Sequence, residues 1–309
     1  MKLAVVFSGQ GAQKPGMGAS YLKQGRFSGD IFAKTPQRVL DLCFSGTPEE
    51  LAKTDVTQPC VYAVTMAGYA ELCGVLAELG VAPAMFAGFS LGEYAALNAA
   101  DVLDYSAGLR LVADRGVWMQ QEAEKFDGGM IAAMGETAQI EALARQAAEC
   151  GVLLPVNYNC PTQTVVAGVR PALERFLQLA AEAGIRAVPL RVSGAFHTPL
   201  MAAAADKIRA ALDKIGPKQP KTPVYWNVTG DAVLNGTLTD TIAAQTKSPV
   251  RWEASVRAML RDGADTFVEV GVGKTLCGLI RKIDRSVRVS HVEDMESLAK
   301  TVELLRAGV

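Results

Sequence analysis

Short apolar runs alternate with longer Ala- and Leu-rich stretches of helical pattern along this chain. Residues 3–7, 85–89, 223–227, 266–270 and 287–292 are compact, mostly apolar runs, which predict strands. Between them, residues 58–79, 91–100, 105–124, 201–215, 239–245, 249–260, 276–283 and 296–305 read as helices. Residues 26–46 read as short helix and loop, followed by a Thr-x-x-Glu cap at Thr47 and Glu50. Strands that alternate with helices predict an α/β fold with a mostly parallel sheet covered on both faces.

The rhythm changes at Gly128. Residues 130–134, 152–158, 162–167 and 185–192 read as strands, and residues 137–150 and 171–183 as helices. Pro171 falls near the first turn of the second helix, where a missing N–H costs nothing. The order is β-α-β-β-α-β, the split-βαβ or ferredoxin-like arrangement. It predicts a small subdomain over residues 128–196, inserted into a larger one made of 1–127 and 197–309.

Composition narrows the function classes. Half of the 309 residues are hydrophobic, enough for a large core, and the formal net charge is −1. That balance argues against a nucleic-acid protein held by a basic field. Residues 3–7 are too short for the apolar segment of a signal peptide, and no uninterrupted apolar run approaches the ~20 residues of a membrane span. The six cysteines form no C-x-x-C and the chain has two histidines, so no zinc site is expected. Reduced thiols in the cytoplasm are the simpler reading, with Cys60, Cys73 and Cys277 as small core residues.

Candidate chemistry centres on Ser90. Gly88-Phe89-Ser90-Leu91-Gly92 is G-x-S-x-G between a predicted strand and a predicted helix. Flanking glycines permit a sharp turn that lifts the hydroxyl above the sheet end, at a helix N-terminus that can hold an oxyanion. Ser90-x-x-Glu93 is equally a capping box. A serine nucleophile needs a base, either His197 at the predicted domain junction or His291 late in the chain. Position favours His197. Arg115 sits among apolar neighbours and needs a partner, which would ordinarily be an Asp or Glu. The Gly-rich loop after residue 7 lacks the third glycine of G-x-G-x-x-G, where Lys14 stands. Gln10 in this loop would face a site at the strand end. Gly273-Lys274-Thr275 lacks the first glycine of a P-loop, where Val268 stands, and reads as a helix-starting turn.

Gly9-Gln10-Gly11-Ala12-Gln13, Gly88-Phe89-Ser90-Leu91-Gly92-Glu93, Arg115-Gly116 through Met119-Gln120, Gly194-Ala195-Phe196-His197 and Glu269-Val270-Gly271-Val272-Gly273-Lys274 occur in order. In this set the chain resembles malonyl-CoA:acyl carrier protein transacylases and the acyltransferase domains of fatty acid and polyketide synthases. The resemblance implies an α/β-hydrolase-like large subdomain with a ferredoxin-like small one, and a cofactor-free ping-pong reaction. Ser90 would attack malonyl-CoA with His197 as base, and the N–H groups of Gln10 and Leu91 would hold the oxyanion. The malonyl group would pass to the phosphopantetheine thiol of acyl carrier protein. Arg115 would hold the malonyl carboxylate, and Phe89, Met119, Phe196 and Arg251 would shape and orient the acyl pocket. A main-chain carbonyl of residues 248–252 would orient His197. Phe89 departs from the family's usual histidine and keeps its ring packing without its hydrogen bond. Asn159 and Asn227 match family positions near the cleft and read otherwise as satisfied turn or strand-end residues. Two basic clusters, Arg281/Lys282/Arg285/Arg288 and Lys207/Arg209, are candidates for the rim that meets an acidic carrier protein, or plain solvated faces. The expected protein is a monomer. Its rivals are a polyketide acyltransferase, a serine esterase or thioesterase using His291, and a binding module without turnover.

Overall fold

The computed structural model describes residues 1–192 and 194–308. Its larger sheet runs β7-β2-β1-β8-β9, with β1 Leu3–Phe7, β2 Met85–Gly88, β7 Val224–Tyr225, β8 Thr266–Val270 and β9 Arg288–Val292. All four pairings are parallel. Side chains alternate across it as a pleat requires. Leu3, Val5 and Phe7 join the core beneath the helices Thr54–Leu79 and Met295–Arg306, whereas Ala4 and Val6 join the core beneath Trp252–Arg261 and Thr275–Ile283. Burial on both faces explains why β1 is a continuous apolar run.

The smaller sheet runs β4-β5-β3-β6, with β3 Gly128–Met134, β4 Leu153–Cys160, β5 Gln163–Val169 and β6 Arg186–Pro189. Every pairing is antiparallel, the ferredoxin-like order. Here too β3 alternates. Ile131 and Ala133 face the helices Thr137–Ala147 and Arg170–Glu182. Met130 and Ala132 pack with Met119, Ala123, Phe196 and Met201, which ties the small sheet to the helix Tyr105–Ala123. That junction puts a cleft beside the carboxyl ends of β1 and β2.

Thr54–Leu79 is long and apolar enough to cross a membrane by length and composition, although polar residues interrupt its run. Most of it is buried inside the protein. Its Glu71 accepts the N–H groups of Arg26, Phe27 and Ser28, which keeps the carboxyl below its ordinary pKa despite burial that pushes the other way. It is a core helix that organises its neighbours. Of the cysteines expected in the core, Cys60 and Cys277 are buried and Cys73 is half-buried.

Candidate active site

β2 ends at Gly88, and the helix Leu91–Ala99 begins after Ser90. Ser90 has φ 51 and ψ −106, a backbone state that residues with a Cβ rarely adopt. The turn is tight enough to demand both glycines. A Cβ on Gly88 would lie 2.0 Å from the Gly92 carbonyl, and one on Gly92 would lie 2.1 Å from the Phe7 oxygen. The capping-box reading is overturned, because Ser90 makes no side-chain cap. Its φ turns the hydroxyl away from the helix N–H groups, and Oγ lies 2.8 Å from His197 Nε2. Glu93 reaches instead to the N–H of Asn227, at 2.6 Å, and burial raises its carboxyl pKa to about 8.

His197 is buried and itself has a positive φ of 61. Its Nδ1 faces two carbonyls, Gln245 O at 2.9 Å and Ser248 O at 3.1 Å. Carbonyls only accept, so Nδ1 carries the proton and Nε2 offers its lone pair to the Ser90 hydroxyl. Ser248 belongs to the segment expected to orient the ring, and Gln245 precedes it. Burial and the nearby Arg115 charge bring the imidazole pKa down to about 4, against the pull of the two carbonyls. The ring is therefore a neutral base at ordinary pH. His291 lies on β9, paired in register with Glu269, and is half-buried; among the described residues no hydrogen bond joins it to Ser90.

Arg115 is 1% exposed, and among the described residues no carboxylate pairs with it. The ordinary ion-pair reading is thereby overturned. Its Nη1 donates to Gln58 Oε1 at 2.8 Å, and Nη2 donates to Gln245 Oε1 at 3.0 Å and to Ser90 Oγ at 3.3 Å. Its guanidinium carbon stands 5.2 Å from the Tyr94 ring centre, and Nε is buried without a hydrogen-bond partner among the described residues. Neutral amides hold the cation in place without cancelling its charge. Met119 fixes Gln58 in turn, its Sδ lying 3.5 Å from Nε2.

The profile of the acyl transferase domain matches residues 4–302. This chain belongs to the acyl transferase family. It is 38% identical over 310 residues to the malonyl CoA-acyl carrier protein transacylase of Escherichia coli strain K12, covering 98% of this chain and 99% of that one. It is similar in structure to the malonyl CoA-acyl carrier protein transacylase of Clostridium perfringens (TM-score 0.93, 35% identity, 99% and 98% covered). Similar too is a malonyl-transacylase solved in complex with a type II PKS acyl-carrier protein (TM-score 0.90, 34% identity, 98% and 100% covered).

In this acyl transferase a cavity of about 100 Å³ brings together Gln10, Phe89, Ser90, Arg115, Met119, Phe196 and His197. Phe89 stands edge-on to Trp252, with ring centres 5.8 Å apart. The Leu91 side chain is in the core, and its N–H opens the helix after Ser90. Arg251 does not join them. Its side chain is exposed, with the guanidinium 5.8 Å from the Tyr158 ring centre, because its residue precedes the first turn of the helix Trp252–Arg261. Gln58 and Asn157 also line the cavity, and Gln245 and Asn227 brace it from behind. The resemblance placed Asn227 near the cleft, whereas sequence reasoning missed Gln58, Asn157 and Gln245, whose one signal is a polar residue inside an apolar stretch. Asn159, by contrast, bonds locally to Gln163. Among the described residues no cluster of His, Cys, Asp or Glu could hold a metal ion. The P-loop-like turn is occupied from within, since Glu269 accepts the N–H groups of Leu276 and Cys277 that a phosphate would need.

Proposed function

We propose that this acyl transferase moves malonyl from malonyl-CoA to the phosphopantetheine thiol of acyl carrier protein, through an ester on Ser90. The observation that carries the reading is Arg115, a buried cation that forms an ion pair with no carboxylate among the described residues, and whose Nη2 lies 3.3 Å from the nucleophilic oxygen. A guanidinium fork matches a carboxylate with charge-assisted hydrogen bonds. An acyl chain carrying its own carboxylate therefore supplies what the pocket lacks, and an acetyl group leaves the charge unpaired.

In the first half-reaction His197 Nε2 takes the Ser90 proton as Oγ attacks the thioester carbon. The tetrahedral oxyanion falls to the N–H groups of Gln10 and Leu91, which take no protein acceptor among the described residues. The C–S bond breaks, and the imidazolium returns its proton to the coenzyme A sulfur. In the second half the carrier thiol gives its proton to His197, attacks the Ser90 ester, and the serine leaves reprotonated. Phe89 and Phe196 make apolar walls that leave little space for an α-methyl group. One methyl is worth ~1–3 kcal/mol, so malonyl selectivity over methylmalonyl is partial.

An acidic carrier protein favours a basic rim. Arg281, Lys282 and Arg285 line an open face, whereas Arg288 and Arg209 are engaged with Asp265 and Asp240. The free cysteines favour a reducing, cytoplasmic setting. Fatty acid synthesis is the favoured pathway. A stand-alone role in polyketide synthesis is the second reading, prompted by the similar protein solved with a polyketide carrier.

The test is intact-protein mass after brief mixing with malonyl-CoA or acetyl-CoA, for the wild type and Arg115→Ala. A malonyl adduct on Ser90 that needs Arg115 is expected, and it should discharge on adding carrier protein. Equal labelling by both acyl groups, in both proteins, would instead indicate an unselective acyl transferase or esterase. No adduct at all would indicate a binding module.

A further inference from the structure

The turn that presents Ser90 rests on a side chain that does not line the cavity. Asn227 lies just past β7 and is fully buried. Its Oδ1 accepts the N–H of Ser90 at 2.8 Å, and its Nδ2 donates to the Gly88 carbonyl at 2.6 Å. One amide thus clasps the two peptide groups on either side of Phe89. Those groups sit where the sheet ladder has ended and the helix ladder has not begun, so neither element would satisfy them.

Asn227 is itself anchored. Its N–H donates to Glu93 Oε2 at 2.6 Å, and its carbonyl accepts the N–H of Arg251 at 2.9 Å. Gln245 Nε2 lies 3.5 Å from Asn227 Oδ1 and donates to the Ser90 carbonyl at 2.6 Å. Ser90 stays in a sparsely populated backbone region only while its surroundings over-determine it. That region aims Oγ at His197 Nε2.

We infer that Asn227 is a positioning residue, whose paired donor and acceptor hold Ser90 in the strained rotation that makes it a nucleophile. The inference rests on Ser90 being the acylated residue. It requires an amide specifically. Alanine removes both bonds. An ionised aspartate keeps the acceptor for Ser90 N–H and turns a second oxygen against the Gly88 carbonyl. A neutral carboxyl has one O–H donor and one carbonyl acceptor, and so reproduces the amide. Among titratable residues, Glu93 bonds Asn227 through its carboxyl and Arg251 does so through its backbone N–H, while His197 and Arg115 reach it through Ser90 and Gln245.

Rapid-quench intact mass measures Ser90 acylation by malonyl-CoA, and phenylmethylsulfonyl fluoride, which carries no carboxylate for Arg115, is the second probe of the same oxygen. For Asn227→Ala both rate constants should fall about 100-fold, the scale of a misplaced reacting group. The titre of labelled serine and the half-saturating malonyl-CoA concentration should be preserved. Asn227→Asp should be equally slow above neutral pH and recover as its carboxyl protonates, while the wild type only slows on acidification. Wild-type rate constants in both variants would overturn the inference. So would a loss of labelling that merely tracks the loss of folded protein by circular dichroism, which would make Asn227 structural. A wild type labelled by the sulfonyl fluoride and not by malonyl-CoA would sink the malonyl reading alone.

Discussion

Burial and the Arg115 charge together shape the pH response of His197. Burial and then the arginine's charge lower His197 to about 4. A lowered pKa keeps the base neutral, so Ser90 labelling should hold on acidification until pH approaches that value, then fall. Arg115→Met removes the charge and keeps the bulk. The imidazolium is then less disfavoured, and the midpoint should move up toward the ordinary histidine range. The rate of labelling by a neutral sulfonyl fluoride against pH measures it, and an unmoved midpoint would show that burial alone sets the value. That Ser90, His197 and Arg115 come together was legible because a hydroxyl in G-x-S-x-G, a histidine at a domain junction and an isolated cation each carry a chemical need that their sequence neighbours leave unmet. Gln245 was not, and Asn227 was placed near the cleft without a role, since an amide's role depends on where its donor and acceptor point. The capping box misled because its spacing is the same whether Ser90 turns toward the helix or away from it.

The strand–turn–helix around Ser90 is the least forgiving element. Glycine to alanine in a helix interior ordinarily stabilises by about 0.5–1 kcal/mol. Gly92→Ala should do the reverse, because the new Cβ would meet the Phe7 backbone oxygen at 2.1 Å, and backbone cannot swing aside as a side-chain tip can. A loss of about 1–3 kcal/mol by urea denaturation is expected; unchanged stability would mean that helix and β1 separate more easily than their contact implies. The order of the long elements was legible; the short helix Ala19–Gln24 went unread, Gly29–Lys34 and Gln37–Ser45 were read only as short helix and loop, and boundaries were less legible. The helix read from residue 58 begins at Thr54 despite Pro59, since packing on the core outweighs one lost N–H donor. The helix read from residue 249 begins at Trp252, because Val250 bridges to Asn157 and Arg251 N–H is held by Asn227. Both shifts come from partners far away in sequence.

The order β7-β2-β1-β8-β9 joins strands from opposite ends of the chain, which no local pattern records. Its consequence for the whole molecule is a set of buried carboxyls at the sheet's carboxyl edge. Glu269, at the end region of β8, is fully buried, and burial lifts it to about 7 although Leu276 and Cys277 N–H groups pull it down. In the unfolded chain it would titrate near its ordinary 4.5. Between those values the folded state holds a proton that the unfolded state has released. Its contribution to stability is therefore fully present below the unfolded pKa and is lost as pH rises through about 7, amounting to ~3 kcal/mol across that window. His197 works in the opposite sense, binding its proton in the unfolded state first as pH falls. Glu269→Gln isolates the carboxyl term away from Ser90. The variant should be less stable in acid, where a neutral carboxyl can still turn an oxygen to each N–H better than an amide can. Its stability should also fall less steeply than the wild type's as pH rises toward about 7, as read by urea denaturation across that window. Parallel slopes in the two proteins would mean that the Glu269 carboxyl is ionised throughout, held by its two N–H donors.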